Sequence, residues 1–140
     1  MRFKRLAVAG AIAIAAAGSG LLAATTPASA STDQFTESCS SGYACLFYHQ
    51  NYTGAIYKQY NNDANYGNNH FVTSSSTRGD SGSGLVVRNN AASVDNWDFS
   101  NAITIYYSPN YTGVHQRIAA GGAANLIPAL RNNNASGKFG

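Results

Sequence analysis

Two cysteines and three histidines are the side chains of this sequence best suited to ligate a metal or exchange electrons, and their placement limits both. Cys39 and Cys45 are the only cysteines and enclose Ser40, Ser41, Gly42, Tyr43 and Ala44. A redox or zinc pair wants C-x-x-C spacing or a nearby histidine motif, and neither is present. In an exported chain the two read instead as one disulfide that pins the approach to the first strand. Closing so short a loop contributes about 2 kcal/mol or less. His49, His70 and His115 fall in three separate segments with no i, i+4 pair and no cysteine partner. They read as surface or corner residues rather than as zinc ligands.

Ser81 is the candidate nucleophile. Arg78-Gly79-Asp80-Ser81-Gly82-Ser83-Gly84 resembles the Gly-Asp-Ser-Gly-Gly loop of chymotrypsin-type serine proteases, in which Ser81 would attack and Gly79 would belong to the oxyanion turn. That chemistry needs a histidine base held by a buried aspartate. His49 carries no motif of that family, and the exported chain is too short for two six-stranded barrels. The bland reading is a flexible Gly/Ser loop. Arg78-Gly79-Asp80 also spells an adhesion tripeptide, but three residues are too few to support that function.

The elements that must position these residues announce themselves by duplication. The signature aromatic-x-x-x-x-aromatic-x-Gly occurs at Phe47, Tyr52 and Gly54 and again at Tyr106, Tyr111 and Gly113, 59 positions later. The first aromatic lies on a strand, the second sits at a hairpin corner where its ring folds over the first, and the glycine supplies a positive φ. Asn51-Tyr52-Thr53-Gly54 and Asn110-Tyr111-Thr112-Gly113 are identical, so the chain is built from two copies of one β unit. A second echo, Arg88-Asn89-Asn90-Ala91-Ala92-Ser93 against Arg131-Asn132-Asn133-Asn134-Ala135-Ser136, has an offset of 43. The smaller offset places an insert of 16 residues in the first copy.

Composition agrees with an exported β domain. Arg2, Lys4 and Arg5 precede an alanine-rich apolar run, and Ala28-Ser29-Ala30 forms a small-residue cleavage site, so residues 1–30 read as a signal peptide. Its removal leaves Lys58, Arg78, Arg88, Arg117, Arg131 and Lys138 against Asp33, Glu37, Asp63, Asp80, Asp95 and Asp98. A formally neutral chain lacks the electrostatic basis for nucleic-acid binding. The roughly 110 residues that remain suit one domain with one modest core.

Residues 31–38 read as a loose polar arm and residues 39–140 as the domain, with unit one at 39–98 and unit two at 99–140. In unit one, strands are expected at 44–49 and 55–60, with Leu46, Tyr48, Ile56 and Tyr60 packing. Residues 61–84 read as a long polar loop broken by His70-Phe71-Val72. Structure resumes at Leu85 and closes at 94–97. Unit two repeats the plan at 102–107 and 114–118, followed by a Gly-Gly turn and a short strand near Leu130.

These residues resemble a βγ-crystallin-type domain, a pair of Greek-key motifs forming a small sandwich. The apolar leader, the Cys39 to Phe47 segment and the first corner are further similar to the secreted bacterial peptidase inhibitor family thirty-six, of the streptomycete metalloproteinase inhibitor type. The resemblance implies an all-β fold, no enzymatic activity, and a secreted monomeric inhibitor of an extracellular protease, a metalloprotease above all, that occludes the enzyme cleft. The disulfide loop from Ser40 to Ala44 is one candidate for the inhibitory segment, because it is tethered at both ends. The long polar loop is the other, at a larger ordering cost.

Calcium-binding crystallins carry [Asn/Asp]-[Asn/Asp]-x-x-[Ser/Thr]-Ser between their third and fourth strands. Asn89, Asn90 and Ser93, and Asn132, Asn133 and Ser136, match its first five positions, and both copies depart at the sixth, Val94 and Gly137. The resemblance implies weak calcium binding through amide, hydroxyl and backbone oxygens. The same runs also read as turns in which Asn and Ser bond back to the backbone. A calcium-binding module with no protease target is thus the rival function. A sugar platform, suggested only by the tyrosines, is weaker because the corner rings are committed to packing. No membrane contact is expected after cleavage of the leader.

Overall fold

A computed structural model describes residues 38–75 and 78–140; the expected signal peptide and all but the last residue of the arm lie outside them. Seven strands run through the described residues: β1 (Ala44–Phe47), β2 (Ile56–Gln59), β3 (Ser93–Asn96), β4 (Ile103–Ser108), β5 (Thr112–Ile118), β6 (Ala123–Asn125) and β7 (Ser136–Phe139). They form two antiparallel sheets, one ordered β2-β1-β3-β6 and the other β5-β4-β7. Alternation along β1 sorts its side chains by face. Ala44 and Leu46 enter the main core with Val94, Ile103, Ile105, Leu126 and Leu130, while Cys45 and Phe47 join a smaller cluster with Ile56, Tyr52 and Val72.

The two halves exchange a strand. β6, from the second half, pairs with β3 of the first through Val94 and Ala124, and Asp63 of the first half bridges Gly137 in β7. Backbone hydrogen bonds repeat accordingly: Ala92 N donates to Phe47 O at 2.8 Å and Ala135 N to Tyr106 O at 2.9 Å, while Tyr66 N reaches Ala135 O at 2.8 Å and Leu126 N reaches Ala92 O at 2.9 Å. Tyr66 and Leu126 are therefore structural equivalents, both fully buried. From there the second copy needs only Ile127 to Ala129 to reach Leu130, the equivalent of Val87, so the insert of the first copy lies between Tyr66 and Val87.

Three expectations are corrected here. The segment 61–84 is not a loop lying off the core: it contains a 3-10 turn at Tyr66–Asn68, and Tyr66, Phe71 and Ser74 are buried. Tyr60 is 64% exposed rather than packed inside, because β2 ends at Gln59 and the next residue leaves the sheet. Leu130 is buried in a turn, and the last strand is β7, paired along Ile103 to Tyr106 of β4.

Tyr66 is held by a polar network inside the core. Its hydroxyl donates to Gln59 Oε1 at 2.6 Å, and Gln59 Nε2 donates to Asn61 O and Gly137 O, both at 2.8 Å. Burial pushes the Tyr66 phenol well above its ordinary value, and burial with the Asp63 hydrogen bond does the same to Tyr57. Gly137 must lack a side chain, since a β-carbon there would stand 1.9 Å from the Tyr66 hydroxyl. Gly137→Ala should therefore lower stability by about 1–3 kcal/mol through overpacking. Denaturant midpoints for the variant and the parent chain check this, with an unchanged midpoint as the contrary result.

Candidate functional site

Both corners are built alike. Phe47 and Tyr52 meet edge to face with centroids 6.4 Å apart, and Tyr106 and Tyr111 do so at 6.0 Å. Asn51, Tyr52, Asn110 and Tyr111 all adopt φ between 58° and 61°, followed by Gly54 at 83° and Gly113 at 86°. Residues with side chains resist that region, and a buried hydroxyl holds them there. Ser93 Oγ accepts from Tyr52 N at 3.0 Å and donates to His49 O at 2.6 Å. Ser136 Oγ accepts from Tyr111 N at 3.1 Å and donates to Ser108 O at 2.7 Å.

This geometry bears on the asparagine runs. Ser93 and Ser136 are fully buried and spend their hydroxyls on the corners. The runs also brace one another reciprocally: Asn89 N donates to Asn134 O at 2.7 Å and Asn132 N to Ala91 O at 2.9 Å. Asn90 Nδ2 donates to Val86 O at 2.9 Å, and Asn89 and Asn132 are exposed with φ of 64° and 59°. Asn133 is exposed as well. The oxygens left for a cation are asparagine amides and backbone carbonyls, with no carboxylate among the matched positions. Among the described residues no cluster of three His, Cys, Asp or Glu could hold a metal.

The insert covers the first corner only. Arg78 donates to Tyr52 O at 2.6 Å and lies 4.9 Å from the centroid of the Phe47 ring, and Gly54 N donates to Arg78 O at 2.6 Å. Ser81 meets His49, which carries no serine-protease motif: its Oγ lies 2.9 Å from His49 Nε2. Among the described residues no carboxylate hydrogen-bonds to His49, so the pair lacks the group that orients a catalytic imidazole. Gly82 fixes the segment against Tyr48, where a β-carbon would fall 1.6 Å from the ring. Ser81 latches the insert to the corner.

The opposite end of the first sheet carries the disulfide loop. Cys39 and Cys45 are bonded, Tyr43 N closes a turn onto Ser40 O at 3.1 Å, and Ser41 is exposed while Ala44 is buried in β1. Gly42 N donates to Trp97 O at 2.9 Å and Trp97 N to Tyr43 O at 2.8 Å, which extends the β1–β3 ladder into both loops. Tyr43 stacks with Tyr60 at 5.1 Å, and Lys58 Nζ sits 5.0 Å from the Tyr43 ring centroid.

Sequence reasoning missed the segment that this ladder fixes, residues 97–101 between the two halves. Asp98 accepts from Ser100 N and Asn101 N, each at 2.8 Å, and from Asn101 Nδ2 at 3.2 Å. Asn96 Nδ2 ties the same loop to Asn101 O at 2.9 Å and Ala119 O at 3.0 Å. An aspartate two residues before a serine is the available signal, since such a carboxylate bonds to the backbone two residues on. These bonds, led by the one from Ser100 N, lower the Asp98 pKa. A lowered folded value means that the contribution of Asp98 to stability is complete above the unfolded value near about 4 and is lost as the pH falls through the folded value. Melting of the Asp98→Asn variant across pH should show a deficit against the parent at neutral pH that closes in acid. A deficit independent of pH would contradict the assignment.

Among the curated proteins nothing matches this chain. A solved structure described as "Evolution of the eye lens beta-gamma-crystallin domain fold" is similar at a TM-score of 0.57 and 16% identity, covering 76% of this chain and 92% of that one. A second, the "crystal structure of N-terminal domain of protein S", has a TM-score of 0.47 and 17% identity over 69% of this chain and 93% of that one. The first likeness shows the fold. The model of peptidase inhibitor family I36 matches residues 32–118. By this match the chain belongs to peptidase inhibitor family I36: it is an inhibitor rather than an enzyme, its partner is a peptidase, and its frame is a βγ-crystallin-like pair of Greek keys.

Proposed function

We propose that the protein is an exported, monomeric inhibitor of extracellular metallopeptidases and that it acts by occlusion, placing the end of the first sheet that bears the disulfide loop in the enzyme cleft. The observation that carries this reading is the exchange of hydrogen bonds between Gly42, Tyr43 and Trp97. It extends a rigid ladder into a loop already closed by Cys39 and Cys45, so little ordering remains to be done on binding. Preorganisation rather than buried area sets the strength of such complexes. The other candidate, the long polar loop, is less suited to the task. Its tip, Arg78 to Ser81, is bonded to the first corner, and lifting it off would break those contacts.

A calcium-binding module remains the second reading, and it would rest on Asn89, Asn90, Asn132, Asn133 and nearby carbonyls. The engagement of Ser93 and Ser136 in the corners favours the inhibitor reading. Titration of the exported chain against a thermolysin-like metallopeptidase and a subtilisin-like serine peptidase tests the proposal. Inhibition of the first and not the second is expected, with no change in melting midpoint on adding Ca²⁺. A midpoint raised by Ca²⁺, without inhibition of either enzyme, would give the function to the rival.

A further inference from the structure

Large aromatic side chains left exposed on stiff backbone forgo a favourable burial. Two stand together on the inter-half loop. Phe99 is 65% exposed and Trp97 is 39% exposed, and their rings lie 6.1 Å apart. Trp97 is fixed by its backbone exchange with Gly42 and Tyr43 and by a hydrogen bond from its indole Nε1 to Asp95 Oδ2 at 2.9 Å. Phe99 follows Asp98, whose carboxylate gathers Ser100 and Asn101 and whose carbonyl accepts from Gly121 N at 3.0 Å. Its ring passes over Gly121, where a β-carbon would stand 2.9 Å from Phe99 Cδ1. The backbone on both sides of Phe99 is therefore held by hydrogen bonds, while most of the ring remains accessible.

Other large apolar side chains are exposed too, among them Tyr107 on β4, Val114 on the edge strand β5 and Tyr60 against Tyr43, but none of these three borders the disulfide loop through a backbone exchange as the Trp97–Phe99 pair does. Aromatic anchors carry a disproportionate share of binding energy in protein complexes, chiefly where they fill a pocket. The loop also borders the disulfide loop through the Gly42–Trp97 exchange, so both belong to one surface.

We infer that Phe99, buttressed by Trp97, is the side chain that enters the peptidase's specificity pocket, and that the target is a peptidase whose pocket accepts a bulky aromatic residue. The inference rests on the inhibitor reading above and adds the residue and the pocket chemistry. The held backbone leaves only the Phe99 side chain to adjust on entering such a pocket, and Trp97 limits the directions in which its ring can turn. A pocket shaped for a small or acidic side chain would exclude it.

Inhibition constants for the parent chain, Phe99→Ala, Phe99→Asp, Trp97→Ala and Val114→Ala test this against two metallopeptidases, one with an aromatic-accepting pocket and one with a pocket for small residues. The parent is expected to favour the first enzyme by tenfold or more. Phe99→Ala should weaken inhibition of that enzyme by about 30-fold, the scale of a hot-spot residue, and narrow the preference between the two. Phe99→Asp should abolish inhibition, Trp97→Ala should weaken it, and Val114→Ala should leave it unchanged. Melting midpoints serve as the control, because Phe99→Ala at so exposed a position should melt with the parent. Undiminished inhibition by Phe99→Ala and Phe99→Asp would overturn the inference and leave the inhibitor reading standing. Failure of the parent to inhibit either enzyme would overturn both.

Discussion

The fold depends on one repeated interaction, a serine hydroxyl from the last strand of each half tied into the strained corner of its own hairpin. Two consecutive residues with side chains sit at positive φ in each corner, a conformation that costs energy at every such position. Ser93 and Ser136 offset that cost by bonding to the corner from below, and the Tyr52 and Tyr111 rings close over it from above. Because each serine belongs to a strand that also supplies a sheet pairing, corner and sheet form together. The corners belong to the frame. They set the strand ends from which the loops emerge.

On that frame the two halves have diverged. In the second, Ile127 to Ala129 join Leu126 to Leu130, and no insert lies over the corner, which meets the first half through Asn110 N and Ala64 O. In the first, the insert returns over the corner and places Phe71 in the core and Arg78 on the Phe47 ring. The consequence is one end that is dressed and fixed by polar contacts, and another where the disulfide and inter-half loops stand exposed. Function is assigned to the second end because stiffness and accessibility occur there together.

The corners were legible in the sequence because their chemistry restricts residue type at fixed spacing: two rings five apart, a glycine two further on, and an echoing serine. The pairing partners of short strands were not. β6 is Ala123-Ala124-Asn125, with no alternation to mark it, and its partner Val94 is distant in the chain. Tyr66 and Phe71 were hidden as single aromatics in a polar background, and the reason for Gly137 became visible only once the Tyr66 hydroxyl was placed beside it. The serines of the asparagine runs were found at the right positions and read with two possible roles. Their three-dimensional setting accounts for the turn. The loop that carries Phe99 has no periodicity at all, and only the Asp98-x-Ser100 spacing hinted at its rigidity.

Strand exchange has a kinetic consequence. β3 must find β6 before the first sheet is complete, and Asp63 must find Gly137 to join the halves, so these pairings join residues far apart in the chain, as in slow-closing, high contact-order topologies. Each half leaves a pairing to be supplied by the other. A nascent chain that has emerged only as far as Asn101 holds a first sheet without its β6 edge and a Tyr66 without the strand that shelters it. The final strand thus acts as a latch on the whole assembly, because Gly137 within it pairs with Asp63 and lies against the Tyr66 hydroxyl.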